Sequence, residues 1–245
     1  ITAGDDNTFE WVRSFQKLIL TNGVDPPIKW TGSGNVTALD VDSRFTTADH
    51  VGYWDNRVWL GNTNANSDRL WYSDAGDPET WGSTSFYNFG APITAIIPMQ
   101  NALSVHTEDA IYTLIPTGNA TIPYQRQQRT SSDPRNPQRG GTISGRAVVV
   151  LPGNIQVFPL EDGIYMWSGG DTIDKVSYAL DEGYWDSLVA SRLAESFAIY
   201  YATEDEIWFF LAYGTGQTTF NHVMILSTKH LYQDASTGET RMAWY

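Results

Sequence analysis

The sequence predicts an all-β fold: a β-propeller-like array of antiparallel blades, with one short helix and a long basic inserted loop. Short segments of alternating apolar and polar residues dominate the chain, and clusters of Gly, Asn, Asp and Pro separate them, which is typical of strands and turns. The same strand–turn–strand pattern occurs five times. Aromatic residues, including 10 Trp, are abundant and suit packed sheets. An irregular β-sandwich built from meanders is the alternative.

Five predicted hairpins follow one another along the chain. In each, the first segment opens with a polar turn and the second returns after a short loop. The pairs are Lys17–Gly23 with Pro27–Trp30, Asn56–Asn62 with Arg69–Ser73, Asn101–Thr107 with Ala110–Ile115, Gly153–Leu160 with Gly163–Gly169, and Asp205–Tyr213 with His222–Ser227.

These hairpins repeat at a nearly regular distance. The equivalent positions are Leu18, Val58, Leu103, Ile155 and Ile207, with spacings of 40, 45, 52 and 52 residues. Propeller blades repeat at a similar period. A further β-like segment precedes four hairpins, beginning at His50, Ile93, Ala147 and Ser196. We therefore expect three to four strands per blade and stacking of neighbouring blades, since one blade cannot bury both of its faces alone.

One segment has the pattern of a helix rather than a strand. Between Asp186 and Glu195, Asp186 can serve as the N-cap and Leu188, Val189 and Leu193 share one face. We expect a short connecting helix there.

The 245 residues are predicted to form a single propeller-type domain, 1–245. Because the chain begins with Ile1 rather than Met and ends on a strand-like segment, we expect a processed or partial protein whose propeller need not close within these residues. The absence of cysteine excludes disulfides and cysteine-based zinc sites. The longest apolar run, Ile207–Tyr213, is too short for a membrane helix, which needs roughly 18 residues, so membrane insertion is not expected.

Charge is distributed unevenly. The net charge is −13, which disfavours general binding to nucleic acid or an anionic membrane. A segment over 117–146, rich in Pro, Gly, Gln and Ser, is predicted to be an inserted basic arm or loop. Its candidate partner contacts are Arg126, Arg129, Arg135, Arg139 and Arg146, opposed by one acid, Asp133. Three interpretations stay open: a solvated flexible loop, an arm on an acidic neighbouring subunit, or a contact with DNA phosphate.

Other chemical motifs are weak. Asp40 with Asp42, or Glu161 with Asp162, could act as an acid–base pair of a glycosidase, but acids beside hairpin ends are ordinary turn residues. Asn62–Asp68 spaces polar oxygens as calcium loops do, yet carries one carboxylate and no bidentate Glu. The four histidines lack metal-ligand spacing. We predict no catalytic residue, metal site or cofactor.

The turn between Ser73 and Trp81 is the most distinctive local motif. Gly76 can adopt positive φ, Pro78 fixes φ, and the Asp side chains can bond nearby N–H groups. The segment is similar, imperfectly, to the Asp box of sialidase-type propellers. We predict that it is a structural turn rather than a chemical site.

A longer series of motifs covers residues 50 to 170. It comprises "NRVWL" at Asn56, the Ser73–Trp81 turn, "ITAIIPMQNALSV" from Ile93, and "EDGIY" at Glu161. In this order the motifs resemble β-propeller proteins of bacteriophage virions, the tail-tube, nozzle or neck components of tailed phages. The resemblance implies a structural subunit of the virion, assembled in the host cytoplasm. Its partners would be identical subunits in a ring of six or twelve, neighbouring tail or neck proteins, and viral DNA passing through the lumen without sequence-specific binding.

A second class of function also fits the composition. Abundant Trp and Tyr, together with the near-match to an Asp box, would suit a carbohydrate-binding or glycoside-hydrolysing propeller. Two or more carboxylates around an exposed Trp would favour that alternative.

Overall fold

The computed structural model describes residues 8–130, 140–177, 180, 182–233 and 240–244. Its fold is all-β and propeller-like, as predicted, with five four-stranded antiparallel sheets formed by strands that are consecutive in sequence. The chain divides into two compact units, Ile1–Gln128 and Arg129–Tyr245. The division falls directly after the last strand of the third sheet.

The first unit contains sheets 1 to 3. Sheet 1 consists of β1 (Glu10–Ser14), β2 (Lys17–Thr21), β3 (Ile28–Trp30) and β4 (Thr37–Ala38). Sheet 2 consists of β5 (Ala48–Trp54), β6 (Arg57–Thr63), β7 (Arg69–Tyr72) and β8 (Phe86–Asn88). Sheet 3 consists of β9 (Ile93–Pro98), β10 (Leu103–Thr107), β11 (Ile111–Pro116) and β12 (Tyr124–Gln128).

The second unit contains sheets 4 and 5. Sheet 4 consists of β13 (Val149–Leu151), β14 (Ile155–Leu160), β15 (Gly163–Trp167) and β16 (Asp174–Lys175). Sheet 5 consists of β17 (Phe197–Tyr201), β18 (Glu206–Leu211), β19 (His222–Gln233) and β20 (Thr240–Trp244). Two short helices, α1 (Glu182–Asp186) and α2 (Ala190–Leu193), connect the two sheets. All five predicted hairpins are confirmed.

Two-residue turns fix the register of two hairpins. Phe15 and Gln16 join β1 to β2, and Asp55 and Asn56 join β5 to β6; all four residues have positive φ. This is the geometry of a type I′ turn, whose twist matches that of the flanking strands. Because a slip of one residue would exchange the two faces of a sheet, these turns determine which side chains enter the core.

Sheet 2 is apolar on both faces. On β6, Val58 and Leu60 pack in the cluster shared with sheet 1, whereas Trp59 packs in the cluster shared with sheet 3. Successive side chains of a strand point to opposite faces. The strand therefore buries a nearly continuous apolar run, which is expected when a sheet is covered on both sides.

Sheets 2 and 3 pack closely at two glycines. A Cβ added to Gly52 on β5 would lie 2.6 Å from Cγ2 of Ile96 on β9, and one added to Gly61 would lie 3.2 Å from Ile93 and Ile96. Real Cβ atoms do not come within 3 Å of another heavy atom. Gly52 is thus required by the spacing between the sheets and not by an unusual backbone conformation.

The helix predicted over Asp186–Glu195 is wrong in its bounds. Asp186 ends α1 rather than capping a helix, and α2 begins only at Ala190. Between them, Leu188 forms an isolated bridge with Tyr213, and the Val189 N–H donates to the Ala212 carbonyl at 3.0 Å. These long-range backbone contacts hold Leu188 and Val189 extended, so after Asp186 only Ala190–Leu193 of the predicted segment is helical.

The predicted arm over 117–146 also needs correction. Its residues 124–128 form β12, which pairs antiparallel with β11, and Gly145–Ala147 form a short 3-10 helix. Although most side chains of β12 are polar, its backbone pairs with that of β11 in the sheet. The described loop portions are therefore 117–123, 129–130 and 140–144, and residues 131–139 lie outside the described residues.

Candidate interaction site

The Ser73–Trp81 turn is closed by its own polar groups. The Val58 N–H donates to Ser73 Oγ at 3.0 Å, and Arg57 Nη1 donates to the Ser73 carbonyl at 2.7 Å. At the other end, Asp77 accepts from the Glu79 N–H at 2.9 Å and from the Thr80 hydroxyl at 2.8 Å. The carboxylate of Asp77 therefore stabilises the turn itself, in the manner of an Asx turn.

The same turn also joins sheet 2 to sheet 1. Trp81 is buried beside Phe45 in the core between the two sheets. Glu79 forms ion pairs with Lys17 on β2 and Lys29 on β3, and all three side chains are less than a third exposed. The turn therefore holds sheets 1 and 2 together, as expected for a structural turn. We call the Glu79 ion pairs with Lys17 and Lys29 the clamp.

The predicted arginine contacts separate into different environments. Arg126 on β12 lies over the rings of Phe89 and Tyr112, at 5.7 and 5.8 Å from their centroids, and donates to the Asn88 carbonyl. Its guanidinium thus links sheet 3 to the end of β8 in sheet 2.

Arg146 has a comparable role in the second unit. Its Nη2 donates to the Glu195 carbonyl at 2.6 Å, and nearby the Ser144 hydroxyl donates to the Ser196 carbonyl, also at 2.6 Å. Arg129 begins this unit, while Arg135 and Arg139 lie outside the described residues. A contact surface formed by the five arginines therefore stays a prediction.

The two candidate acid–base pairs lie in turns. Asp40 accepts from the Asp42 N–H at 2.9 Å, and Asp42 forms an ion pair with Arg44 at 2.7 Å. Asp162 accepts from the Tyr165 hydroxyl at 2.9 Å and pairs with Lys175 at 3.2 Å. These contacts engage Asp40 and Asp42 within the loop between β4 and β5, and Asp162 within sheet 4.

The Asn62–Asp68 loop uses its oxygens in hydrogen bonds. The Asn64 side-chain oxygen accepts from the N–H groups of Thr46 and Thr47, and Thr63 Oγ1 donates to the Asn66 carbonyl at 3.1 Å. Within the described part of the chain, no group of three or more His, Asp or Glu residues could hold a metal ion.

One histidine belongs to a partly buried charged cluster between sheets 1 and 2. His50 Nδ1 lies 2.9 Å from Glu10 Oε1, and the second Glu10 oxygen accepts from the Val51 N–H at 3.2 Å. Burial alone would lower the pKa of His50, but the Glu10 carboxylate, helped by Asp49, outweighs it and the pKa is raised. Burial also raises the pKa of Asp49, against the opposing charge of His50. The cluster acts as an inter-blade ion pair.

A contact that the sequence did not predict joins sheets 2 and 3. The buried Tyr124 hydroxyl on β12 donates to Asp55 Oδ2 at 2.6 Å, and the Tyr87 hydroxyl donates to the Tyr124 carbonyl at 2.9 Å. Trp54 and Trp59 surround the Tyr124 ring, with centroids 5.5 and 5.1 Å away. Burial, reinforced by the Asp55 carboxylate, strongly raises the pKa of the Tyr124 hydroxyl. A single Tyr in an otherwise polar segment was the only signal in the sequence.

Comparisons with known proteins find likeness at the level of fold. No family model and no curated protein matches the chain. Among solved structures, the extracellular domain of the one-component system BT4673 from B. thetaiotaomicron is 11% identical with a TM-score of 0.55, covering 96% of this chain and 30% of that chain. The computationally designed Ika8 protein is 13% identical with a TM-score of 0.47, covering 97% and 73%. YCF48 bound to D1 peptide is 14% identical with a TM-score of 0.45, covering 99% and 86%.

The chain thus spans less than a third of the length of the BT4673 extracellular domain. At 11% identity this likeness concerns the fold alone. Among the described residues, none of the helices has the length and apolar character needed to cross a membrane.

Proposed function

We propose that this chain is a structural subunit of a tailed-phage tail or neck ring, forming part of the conduit through which DNA is ejected. The observation that carries the proposal is the Ser73–Trp81 turn, the most distinctive piece of the phage-like motif series. Its Asp77 carboxylate closes the turn and its Glu79 carboxylate pairs with Lys17 and Lys29 of the adjacent sheet. An architectural protein needs such contacts because its role depends on rigidity.

The polar and charged groups of the first unit favour the same function. Its ionisable side chains form contacts that join neighbouring sheets: Glu10 with His50, Asp55 with Tyr124, and Glu79 with Lys17 and Lys29. A catalytic site instead sets perturbed acids and bases around an open cleft. These contacts between sheets would resist distortion while DNA passes through the ring.

Charge supplies the mechanism for the conduit. With a net charge of −13, a ring of such subunits would repel DNA phosphates and allow the genome to slide without sticking. The acidic residues need only line the lumen for this effect. A neutral or basic lumen in the assembled ring would contradict this part of the proposal.

The test is the native mass of the purified chain by light scattering, combined with electron microscopy of the particles and of phage virions labelled for this chain. We expect a closed ring of about six or twelve copies, since closed cyclic symmetry is the common outcome for identical subunits, and a signal at the tail or neck. A monomer that binds sugars on a glycan array would contradict the virion function and favour a carbohydrate-binding propeller.

A further inference from the structure

The first sheet carries an apolar face that points away from sheet 2. The strand register aligns Trp11 with Leu20 and Ile28 in one row, and Leu18 with Trp30 in the next. The alternate residues, such as Ile19, enter the core shared with sheet 2. Trp11 is 64% exposed and Trp30 is 38% exposed. We call this surface, Trp11, Arg13, Leu18, Leu20, Ile28 and Trp30, the outer face of sheet 1.

The fifth sheet carries a similar face on the side opposite sheet 4. The register aligns Phe197 with Phe210 and Val223, and Ile199 with Trp208 and Ile225. We call this surface, Phe197, Ile199, Trp208, Phe210, Val223 and Ile225, the outer face of sheet 5.

This outer face of sheet 5 differs sharply from the inner face of the same strands. Ile207, Phe209 and Leu226 are completely buried against sheet 4, whereas Ile199 is 47% exposed. On the outer face, the rings of Phe197 and Phe210 stack with centroids 4.4 Å apart. Together with Ile199 and Val223, which are exposed, these rings form a continuous apolar surface.

Two apolar faces of this kind require a covering partner. An antiparallel sheet that faces water normally alternates apolar with polar residues, whereas one apolar on both faces is covered on both. Contiguous exposed apolar patches on soluble proteins mark interaction sites. Inside each unit, the apolar faces of neighbouring sheets pack on each other, so the natural occupant of either outer face is another four-stranded sheet of the same kind.

We propose that a second copy of this chain provides that sheet: the outer face of sheet 1 in one copy packs on the outer face of sheet 5 in the next. The charges are complementary. Among the described residues, Arg13 is the charged member of the outer face of sheet 1. At the edge of the outer face of sheet 5, Glu206 aligns with Tyr201 and supplies the opposite charge. The scarcity of acids also matters, because two bodies of charge −13 can approach most easily where acids are few.

Such a contact is heterologous, since each copy uses two different surfaces. Heterologous contacts produce rings where the rotation closes and filaments where it does not. The inference deepens the proposed function and rests on it for the role of the ring in a virion, whereas the contact can be tested separately. Association through these faces without incorporation into virions would uphold the contact and contradict the phage function.

The first experiment measures mass by light scattering for the full chain and for Trp11→Glu, Ile199→Glu and Ile122→Glu. Ile122 is also an exposed apolar residue, but lies outside both faces, so its variant controls for the added charge. We expect each face variant to lose the oligomer and the control to keep it. Unchanged thermal midpoints would show that the variants fold. A monomeric wild type, or face variants that still assemble, would overturn the proposal.

Mixing the two face variants provides the sharper test. The Trp11→Glu copy retains an intact sheet 5 face and the Ile199→Glu copy an intact sheet 1 face, so an equimolar mixture should form a heterodimer and nothing larger. A contact between two identical faces would instead spare one of the variants and give no heterodimer. Assembly of one variant alone, or the absence of a heterodimer in the mixture, would refute the heterologous contact.

Cross-linking gives an independent readout because the chain has no native cysteine. Trp11→Cys in one copy and Ile199→Cys in another should be joined by a short bismaleimide, and a chain carrying both substitutions should give a ladder of multimers. Products confined to single chains in the double variant would contradict the proposal.

Discussion

The Tyr124 hydroxyl donates a 2.6 Å hydrogen bond to Asp55 Oδ2, joining the last strand of sheet 3 to the first turn of sheet 2. Tyr124 is 1% exposed, and the aromatic rings of Trp54, Trp59 and Tyr72 pack against it. A charged acceptor makes this hydrogen bond stronger than a neutral one. Tyr124 therefore anchors this polar segment, which pairs with β11, against sheet 2.

Replacing Tyr124 with Phe should test this anchor. The substitution keeps the ring and leaves the Asp55 carboxylate without its donor, so we expect the free energy of unfolding to fall by about 1–3 kcal/mol. Chemical denaturation monitored by tryptophan fluorescence would measure the change. Tyr53→Phe is the matched control, because its hydroxyl makes a longer, 3.3 Å bond to Asn56 at the exposed end of the same hairpin. Equal losses in the two variants would contradict the anchor.

Close packing of sheets 2 and 3 makes Gly52 sensitive to the smallest enlargement. Gly52→Ala would place a methyl group 2.6 Å from Ile96 Cγ2, and overpacking of this kind costs about 1–3 kcal/mol. Gly170→Ala is the control, because Gly170 has no heavy atom within 4 Å of an added Cβ and no positive φ. Thermal unfolding of both variants would measure the difference.

A double-mutant cycle with Ile96→Ala would assign the strain to this contact. Removing Cγ2 creates room for the new methyl group, so the cost of Gly52→Ala should shrink in the Ile96→Ala background. Strict additivity of the two changes would show that the strain arises elsewhere.

The parts of the fold that could be predicted from sequence are those determined by local patterns. Each of the five hairpins combines alternating apolar residues with turn-forming residues, and all five are present. The short fourth strands were harder to predict: β4 and β16 have two residues each, too few to show alternation. They form because neighbouring strands offer them hydrogen-bond partners.

Long-range contacts explain the rest of what sequence reasoning missed. The helix predicted over Asp186–Glu195 is restricted to Ala190–Leu193 because Leu188 and Val189 pair with Tyr213 and Ala212, far along the chain. The structural role of the Ser73–Trp81 turn was predictable from its Gly, Pro and Asp residues. The pairing of Glu79 with Lys17 and Lys29 was not, because it depends on how two sheets stack.

The Glu79 ion pairs should make a measurable contribution to stability. Glu79→Gln leaves Lys17 and Lys29 facing each other without the carboxylate, and these side chains are only 26% and 21% exposed. We expect a loss of about 1–2 kcal/mol, between the values typical of exposed and buried pairs. Asp42→Asn removes a carboxylate that is 66% exposed in its pair with Arg44; it is the control and should cost under about 1 kcal/mol. Urea denaturation at low and high salt would also show a smaller Glu79 effect at high salt; an effect no larger than that of Asp42→Asn would contradict the clamp.

The raised pKa of His50 predicts the direction in which stability changes with pH. Its pKa is raised above the ordinary 6.5 in the folded state, where Glu10 and Asp49 face it and outweigh burial. The folded state therefore holds the proton to higher pH than the unfolded state, so the contribution is complete below pH 6.5 and is lost as pH rises through the folded pKa. The raised pKa of Asp49 also makes stability fall as pH rises, but in a pH range that begins at its ordinary value of 3.8. His50→Gln should flatten the decline in unfolding free energy above pH 6.5. Parallel pH profiles for wild type and His50→Gln would show that the Glu10–His50 pair does not set this dependence.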